Sequence, residues 1–229
     1  MDPWKLFAKA LVIAGAGFFL VQAPASAGIV TTDLCLPQHK YVKLPPPIHY
    51  PVPRPGDVFV DDVLHFGFSD CFALPRIRGD FAIHRFGSLV SGVLSIPALL
   101  LTQPFLAPAQ VTVQIVNVDP NPLDNMVLFD TEMLQLDLSG GTLPPGAMIR
   151  ESPTLPSRGQ TTVTDLGAGS FRIDSFFDVF TELSLDGGLT FVPARGPAHV
   201  ELMPEPGALM LLAAGLALLA LGRRARAGS

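Results

Sequence analysis

Residues 177–185 read FDVFTELSL, and their alternation decides the fold class. Phe177, Val179, Thr181, Leu183 and Leu185 fall on one face of an extended chain, and Asp178, Phe180, Glu182 and Ser184 fall on the other. Successive side chains of a strand point to opposite sides, so this pattern predicts a strand with one buried face. Asp186-Gly187-Gly188 follows as a tight turn, and Leu189–Val192 can return as the partner strand.

The turn carries a recognisable pattern. Ser184, Asp186, Gly188, Thr190 and Phe191 stand at the spacing S-x-D-x-G-x-T-aromatic, which resembles an Asp-box with phenylalanine in the usual tryptophan place. The resemblance implies a structural role: the aspartate ties down the hairpin and the aromatic packs beneath it. Proteins with glycosidase propellers carry several such boxes and this chain has one, so it argues for a hairpin and not for a glycosidase.

Upstream the same signals recur. Asp57–Phe68 and Asp80–Arg85 carry aromatic and β-branched residues between Gly and Asp boundaries. Leu89–Leu101 is apolar and reads as a strand or a short helix. Gln110–Val118 (QVTVQIVNV) is a strand by propensity and alternation. Residues 119–125 (DPNPLDN) form a turn cluster. Thr131–Ser139 alternates, with Leu134, Leu136 and Leu138 on one face and Met133, Gln135 and Asp137 on the other. Met148–Glu151, Thr161–Asp165, Phe171–Ile173 and His199–Leu202 are shorter strand candidates. No long amphipathic helix interrupts the series. The expectation is an all-β fold, an antiparallel β-sandwich of jelly-roll or immunoglobulin-like type, over residues 57–203. Residues 28–56 form a Pro-rich extended lead-in, because Leu44–Pro55 (LPPPIHYPVPRP) holds six prolines that favour polyproline II.

The two ends read as addresses. Lys5 and Lys9 precede an apolar run, Ala10–Val21, and Ala25-Ser26-Ala27 is an A-x-A site, so residues 1–27 are read as a signal peptide cleaved before Gly28. At the other end Pro204-Glu205-Pro206 is followed by Gly207–Leu221, apolar except for its glycines, and by Arg223, Arg224 and Arg226. Alanine, leucine and methionine favour helix, and an all-round apolar helix belongs in lipid or in a large core. Its 15 residues span roughly 22 Å against a bilayer core of about 30 Å, a gap that snorkelling arginines narrow. The abutting arginines mark a cytoplasmic end by the positive-inside rule.

Pro204–Pro206, the helix and the arginine cluster together resemble the PEP-CTERM protein-sorting signal of Gram-negative bacteria. The same segment is also labelled an ice-binding protein C-terminal domain, a label that does not demonstrate ice binding. The resemblance covers residues 204–226. It implies a transmembrane helix over 207–222 within a sorting signal at 204–229. It also implies signal peptidase and an exosortase as partners, transient or permanent residence in the inner membrane, and release to the cell surface or medium. Extracellular polysaccharide is the binding partner that the sorting family suggests. Residues 148–154 through 199–202 also look like the core of PEP-CTERM-tagged exported proteins without established activity.

Charge narrows the field. The terminal segments hold five of the fifteen Lys/Arg and one of the twenty Asp/Glu, so residues 28–206 carry ten bases against nineteen acids, a net −9. Bulk electrostatics therefore argues against nucleic acid or anionic membrane as a partner of the domain. Cys35 and Cys71 are the only cysteines, and in an oxidising compartment such a pair reads as a disulfide; two buried thiols are the other reading.

Chemistry is harder to find. Asp57, Asp61, Asp62 and Asp70 lie near His65 in sequence, a grouping that suits calcium or, through the histidine, a transition metal. Asp119, Asn121, Asp124 and Asn125 form a second calcium candidate. Solvated turn carboxylates are the better reading of both groups. No G-x-S-x-G elbow and no phosphate-binding glycine loop is present, and no cofactor is expected. Arg150-Glu151-Ser152 sets a serine beside an acid without a local histidine. The expectation is a binding or structural protein, with a carboxylate- or metal-dependent secreted hydrolase as the rival and an uncleaved, membrane-anchored domain as the third reading.

Overall fold

The computed structural model describes residues 28–32, 35–36, 39–119 and 124–203. The segments read as a signal peptide, with Ala25 and Ala27, and as a sorting signal with a transmembrane helix lie outside the described residues. Among the described residues no helix is long and apolar enough to cross a membrane.

Fifteen strands and one 3-10 turn make up the described chain. In order they are β1 (Gly28–Thr31), β2 (Cys35–Leu36), β3 (Lys40–Lys43), β4 (Ile48–Tyr50), β5 (Val58–Phe66), β6 (Phe72–Ala73), β7 (Phe81–Ile96), the turn Pro97–Leu99, β8 (Leu101–Asn117), β9 (Met126–Ser139), β10 (Met148–Glu151), β11 (Ser157–Gly167), β12 (Ser170–Val179), β13 (Thr181–Ser184), β14 (Val192–Pro193) and β15 (Ala198–Met203).

The all-β, antiparallel expectation holds, but the sheet does not split into the two layers of a sandwich. Eight strands pair in the circular order β3-β5-β7-β8-β9-β11-β12-β15 and back to β3, closing a barrel. Closure depends on β11, which pairs with β9 on one side and β12 on the other, and on β15, which joins β12 to β3. Alternation in sequence specifies one buried face. It does not distinguish a face packed on a second sheet from one turned inward on its own wall.

The wall is apolar inside and charged outside. On the staves Leu94, Ile173 and Leu202 are fully buried, whereas Arg172, Asp174, Asp178 and Glu201 alternate outward along β12 and β15. A bilayer-spanning barrel has the opposite polarity, with its apolar band on the outer surface. At one end of β8, Leu101–Pro108 pairs with β7 while pairing to β9 starts at Ala109. Pro104 and Pro108 stand in this one-sided stretch, where a missing N–H removes no ladder bond.

Three expected elements take a different form, and a fourth is decided between its two alternatives. The proline-rich residues before 57 are not a separate lead-in: β3 is a barrel stave, β1 and β4 belong to the same sheet, and Tyr50 is fully buried. Short runs between the prolines retain free N–H groups, so Ile48–Tyr50 pairs with Val58–Val60. Along β9 a bulge sets Thr112 opposite Gln135 and Val113 opposite Met133, leaving Leu134 unpaired and 41% exposed. Met133 and Leu138 are therefore both buried, where unbroken alternation puts them on opposite faces. Residues 177–185 divide at Phe180: β12 stays in the wall, and β13 pairs instead with β10 and β14. The break is held by the Phe180 N–H, which donates to Ser157 Oγ at 3.0 Å, and the Phe180 carbonyl, which accepts from the Ser152 N–H at 2.8 Å. The stretch Leu89–Leu101 is strand up to Ile96, ending in the 3-10 turn.

Candidate functional site

The two metal candidates disperse. Asp57 faces His49 at 3.1 Å, and Asp61 meets the buried Lys43 ammonium at 3.3 Å. Asp70 accepts from the Ser69 hydroxyl, and Asp62 sits at a left-handed bulge position with φ 51°. The His65 ring turns inward to Ser88 Oγ, 2.7 Å away, and burial pushes its pKa down to about 4. Asp124 accepts from the Met126 N–H as an ordinary Asx turn, and the Asn125 side chain donates to the Asp165 carbonyl. Asn121 lies outside the described residues. Among the described residues, no three His, Cys, Asp or Glu groups are placed to hold a metal ion.

Cys71 is disulfide-bonded, and the chain's one other cysteine is Cys35. Their neighbourhoods are joined by the short pairing of β2 with β6, where Cys35 stands opposite Ala73. Gly28 is the first residue of β1, opposite Asp174.

The Asp-box-like turn is closed by its own side chains. Asp186 Oδ1 accepts from the Thr190 N–H at 2.9 Å and from the Ser184 hydroxyl at 2.7 Å, and Oδ2 accepts from the Thr190 hydroxyl at 2.6 Å. Ser184 Oγ accepts in turn from the Gly188 N–H. Donors that favour the ionised carboxylate, those of Thr190 first, hold the Asp186 pKa down to about 2. The Arg150 guanidinium lies over the Phe191 ring, 3.6 Å from its centroid. Every group of the motif is thus engaged in holding the corner formed by β10, β13 and β14.

Beside that corner lies an open groove of about 300 Å³ that holds two carboxylates, lined by Glu132, Leu134, Glu151, Ser152, Leu155 and Pro156 among others. Burial raises the Glu151 pKa, the Ser157 hydroxyl bond opposes this, and Glu132, Glu182 and Asp137 add to the rise. Glu182 is nearly buried. It accepts from Arg150 Nη2 at 2.7 Å and Nε at 3.0 Å, and from the Ser152 hydroxyl at 3.2 Å. The surroundings of Glu151 thus bias it towards the protonated form, the form that can donate a proton. Glu132 and Glu182 escaped the sequence reading because they stand on different strands, brought alongside Glu151 only by pairing.

Among the described residues no histidine bonds to Ser152, whose hydroxyl is held by Glu182. The His65–Ser88 pair is the one serine–histidine hydrogen bond among the described residues, and the imidazole there is neutral within the wall. His199 faces outward between Asp178, 2.7 Å from Nδ1, and Glu201, 3.1 Å from Nε2. Burial disfavours its charge, but the two carboxylates outweigh burial and its pKa ends above the ordinary value. Because Asp178 and His199 are opposite one another in the register, this contact locks β12 to β15.

No protein-family model, no curated protein and no solved structure matches this chain.

Proposed function

We propose that this chain is an exported protein of a Gram-negative bacterium, sorted through its C-terminal signal and cut near Pro204–Pro206 by an exosortase. Residues 1–27 direct export and residues 207–222 arrest the chain in the inner membrane. The product is a disulfide-bonded barrel at the cell surface or in the medium. Its role is binding or structural, with extracellular polysaccharide as the partner.

The observation that supports this reading is the pairing of the described residues next to the two proposed cuts. Gly28 pairs with Asp174, and Met203 pairs with Lys40. Either proposed cut leaves every described strand pairing intact. The disulfide at Cys71 supports an oxidising destination. The acidic composition of residues 28–206 suits a solvated surface rather than nucleic acid.

Intact-mass measurement on protein from the envelope and the medium of the native host tests the proposal. A mass starting at Gly28 and ending between Pro204 and Pro206 is expected. A membrane-bound species that retains residues 207–229 at steady state overturns processing and leaves an anchored domain.

The elevated Glu151 carboxyl in an open groove favours one rival, a carboxylate-dependent hydrolase. It predicts that a panel of polysaccharides is depolymerised by the protein and not by Glu151→Gln. No release of reducing ends from any member removes that rival.

A further inference from the structure

We infer that the interior of the barrel is a binding site for a small planar ring compound bearing one hydrogen-bond donor, and that Phe68 now fills its mouth. Phe68 belongs to the segment between β5 and β7. Its ring is enclosed by three others at steep angles: His65 at 5.0 Å, Phe86 at 5.7 Å and Tyr41 at 6.2 Å between centroids. Edge-to-face packing of this kind is how a cage holds an aromatic guest. Here the guest is part of the chain.

Two voids lie behind it. One of about 30 Å³ is lined by Tyr41, His65, Phe68, His84 and Thr131 among others. A second of about 60 Å³ shares His65, Met133 and Val200 with the first and is otherwise almost entirely apolar. An eight-stranded barrel is at the size where side chains either just fill the interior or leave room for one small ligand. Phe68 lines the first void, so moving its ring aside enlarges that void by the space of the ring itself, and the second lies next to it across His65, Met133 and Val200.

The second observation concerns polarity. Thr131 is 4% exposed, and its hydroxyl, on the wall of the first void, has no hydrogen-bond partner. Of the other polar groups on this wall, the Tyr41 hydroxyl donates to Ser175, Thr161 bonds to Ser175, His65 bonds to Ser88, and the His84 ring stacks on Phe72. Thr131 is therefore a buried acceptor open to a donor on the guest. A buried hydroxyl without a partner is costly, so an occupant that satisfies it gains affinity.

The plug can move without opening the wall. β6, which follows Phe68, pairs with β2 in a sheet of its own and not with the barrel. Ser69 ties residues 67–70 to a stave: its N–H donates to the Gly87 carbonyl at 2.8 Å, and its hydroxyl oxygen accepts from the Gly87 N–H at 2.9 Å. The disulfide at Cys71 tethers the same segment. This inference does not depend on export or processing, and its test is made on purified protein alone.

The test is calorimetric titration with indole, which has a ring N–H donor, and with benzene, which has none. The wild-type protein is expected to bind one indole saturably. Phe68→Ala is expected to bind both compounds at least tenfold more tightly. Phe68→Leu, which keeps the mouth packed, serves if the alanine variant does not fold and is expected to move in the same direction. Thr131→Val is expected to weaken indole about tenfold and leave benzene unchanged, whereas a purely structural role for Thr131 would alter both. Absence of saturable binding to the wild type and to both Phe68 variants overturns the inference, as does a Thr131→Val effect equal for the two compounds.

Discussion

Arg150 and Glu182 stand opposite one another in the register of β10 and β13, and the guanidinium reaches Glu182 through Nε at 3.0 Å and Nη2 at 2.7 Å while lying over Phe191. One arginine thus couples the carboxylate of one strand to the aromatic of the Asp-box-like turn. The other Glu182 oxygen accepts from buried Ser152, so the carboxylate serves two strands and a loop.

Glu182→Ala leaves the Ser152 hydroxyl without its acceptor and Arg150 without its counter-ion. The expected loss is about 2–3 kcal/mol of stability, tempered by the partial exposure of Arg150. Chemical denaturation reads it directly, with a lower midpoint and an unchanged slope. Phe191→Ala should cost less, because Arg150 keeps its carboxylate partner.

Asp186 makes the hairpin sensitive to acid. Its pKa is lowered to about 2 from an ordinary 3.8, so the ionised form contributes stability that is complete above about pH 4. That contribution is lost as pH falls from there towards 2. Asp186→Asn should flatten this part of the profile of melting temperature against pH, while leaving the order of stabilities above pH 5 in favour of the wild type. Equal acid sensitivity in the two proteins would show that the turn is not the source.

The only two tyrosines, Tyr41 and Tyr50, are both buried. Burial pushes the Tyr41 phenol up to about 12 and Tyr50 further, against smaller opposing effects of their hydrogen bonds to Ser175 and Thr181. Each raised value contributes stability that is intact below pH 10 and lost as pH climbs through the folded-state value. Absorbance at 295 nm should therefore show no tyrosinate in the native protein at pH 10.5. Both residues should ionise together in the step that abolishes near-ultraviolet dichroism. A gradual titration of one residue before unfolding would show that its phenol reaches solvent. Tyr50→Phe should cost about 1 kcal/mol.

Gly159 marks the closest approach of β11 to its neighbours. A Cβ there would collide with the Phe176 carbonyl oxygen and stand 2.8 Å from both Phe177 Cδ1 and Thr131 Oγ1. The first obstacle is backbone, which cannot yield as a side chain tip does. Gly159→Ala is expected to cost about 3 kcal/mol. Gly79→Ala, at a turn with space around it, tests the other limit: its cost should come from its φ of +87° alone.

What the sequence determined by itself was local. Period-2 alternation between Gly, Pro and Asp turns identified strands because pleating is a property of neighbouring residues. The same is true of the corner at Ser184–Phe191, where each hydrogen bond of Asp186 and Ser184 spans two to four positions. The strand Met148–Glu151 was legible to the residue for this reason.

Tertiary structure decided the rest. Closure of the barrel rests on pairings such as Val200 with Lys43, and nothing in either local segment names its partner. The bulge at Leu134 inverts a face because β8 and β9 differ by one residue in register, a mismatch that neither strand shows alone. Phe180 ends one strand and admits another because Ser152 and Ser157, more than twenty residues away, take its N–H and carbonyl. Glu151 acquires its raised pKa from burial and from carboxylates on β9 and β13, and Phe68 acquires its cage from rings on β3, β5 and β7. These groupings are products of long-range contact, where the hydrophobic effect and the hydrogen-bond requirements of the whole wall select one pairing among many that local pattern permits.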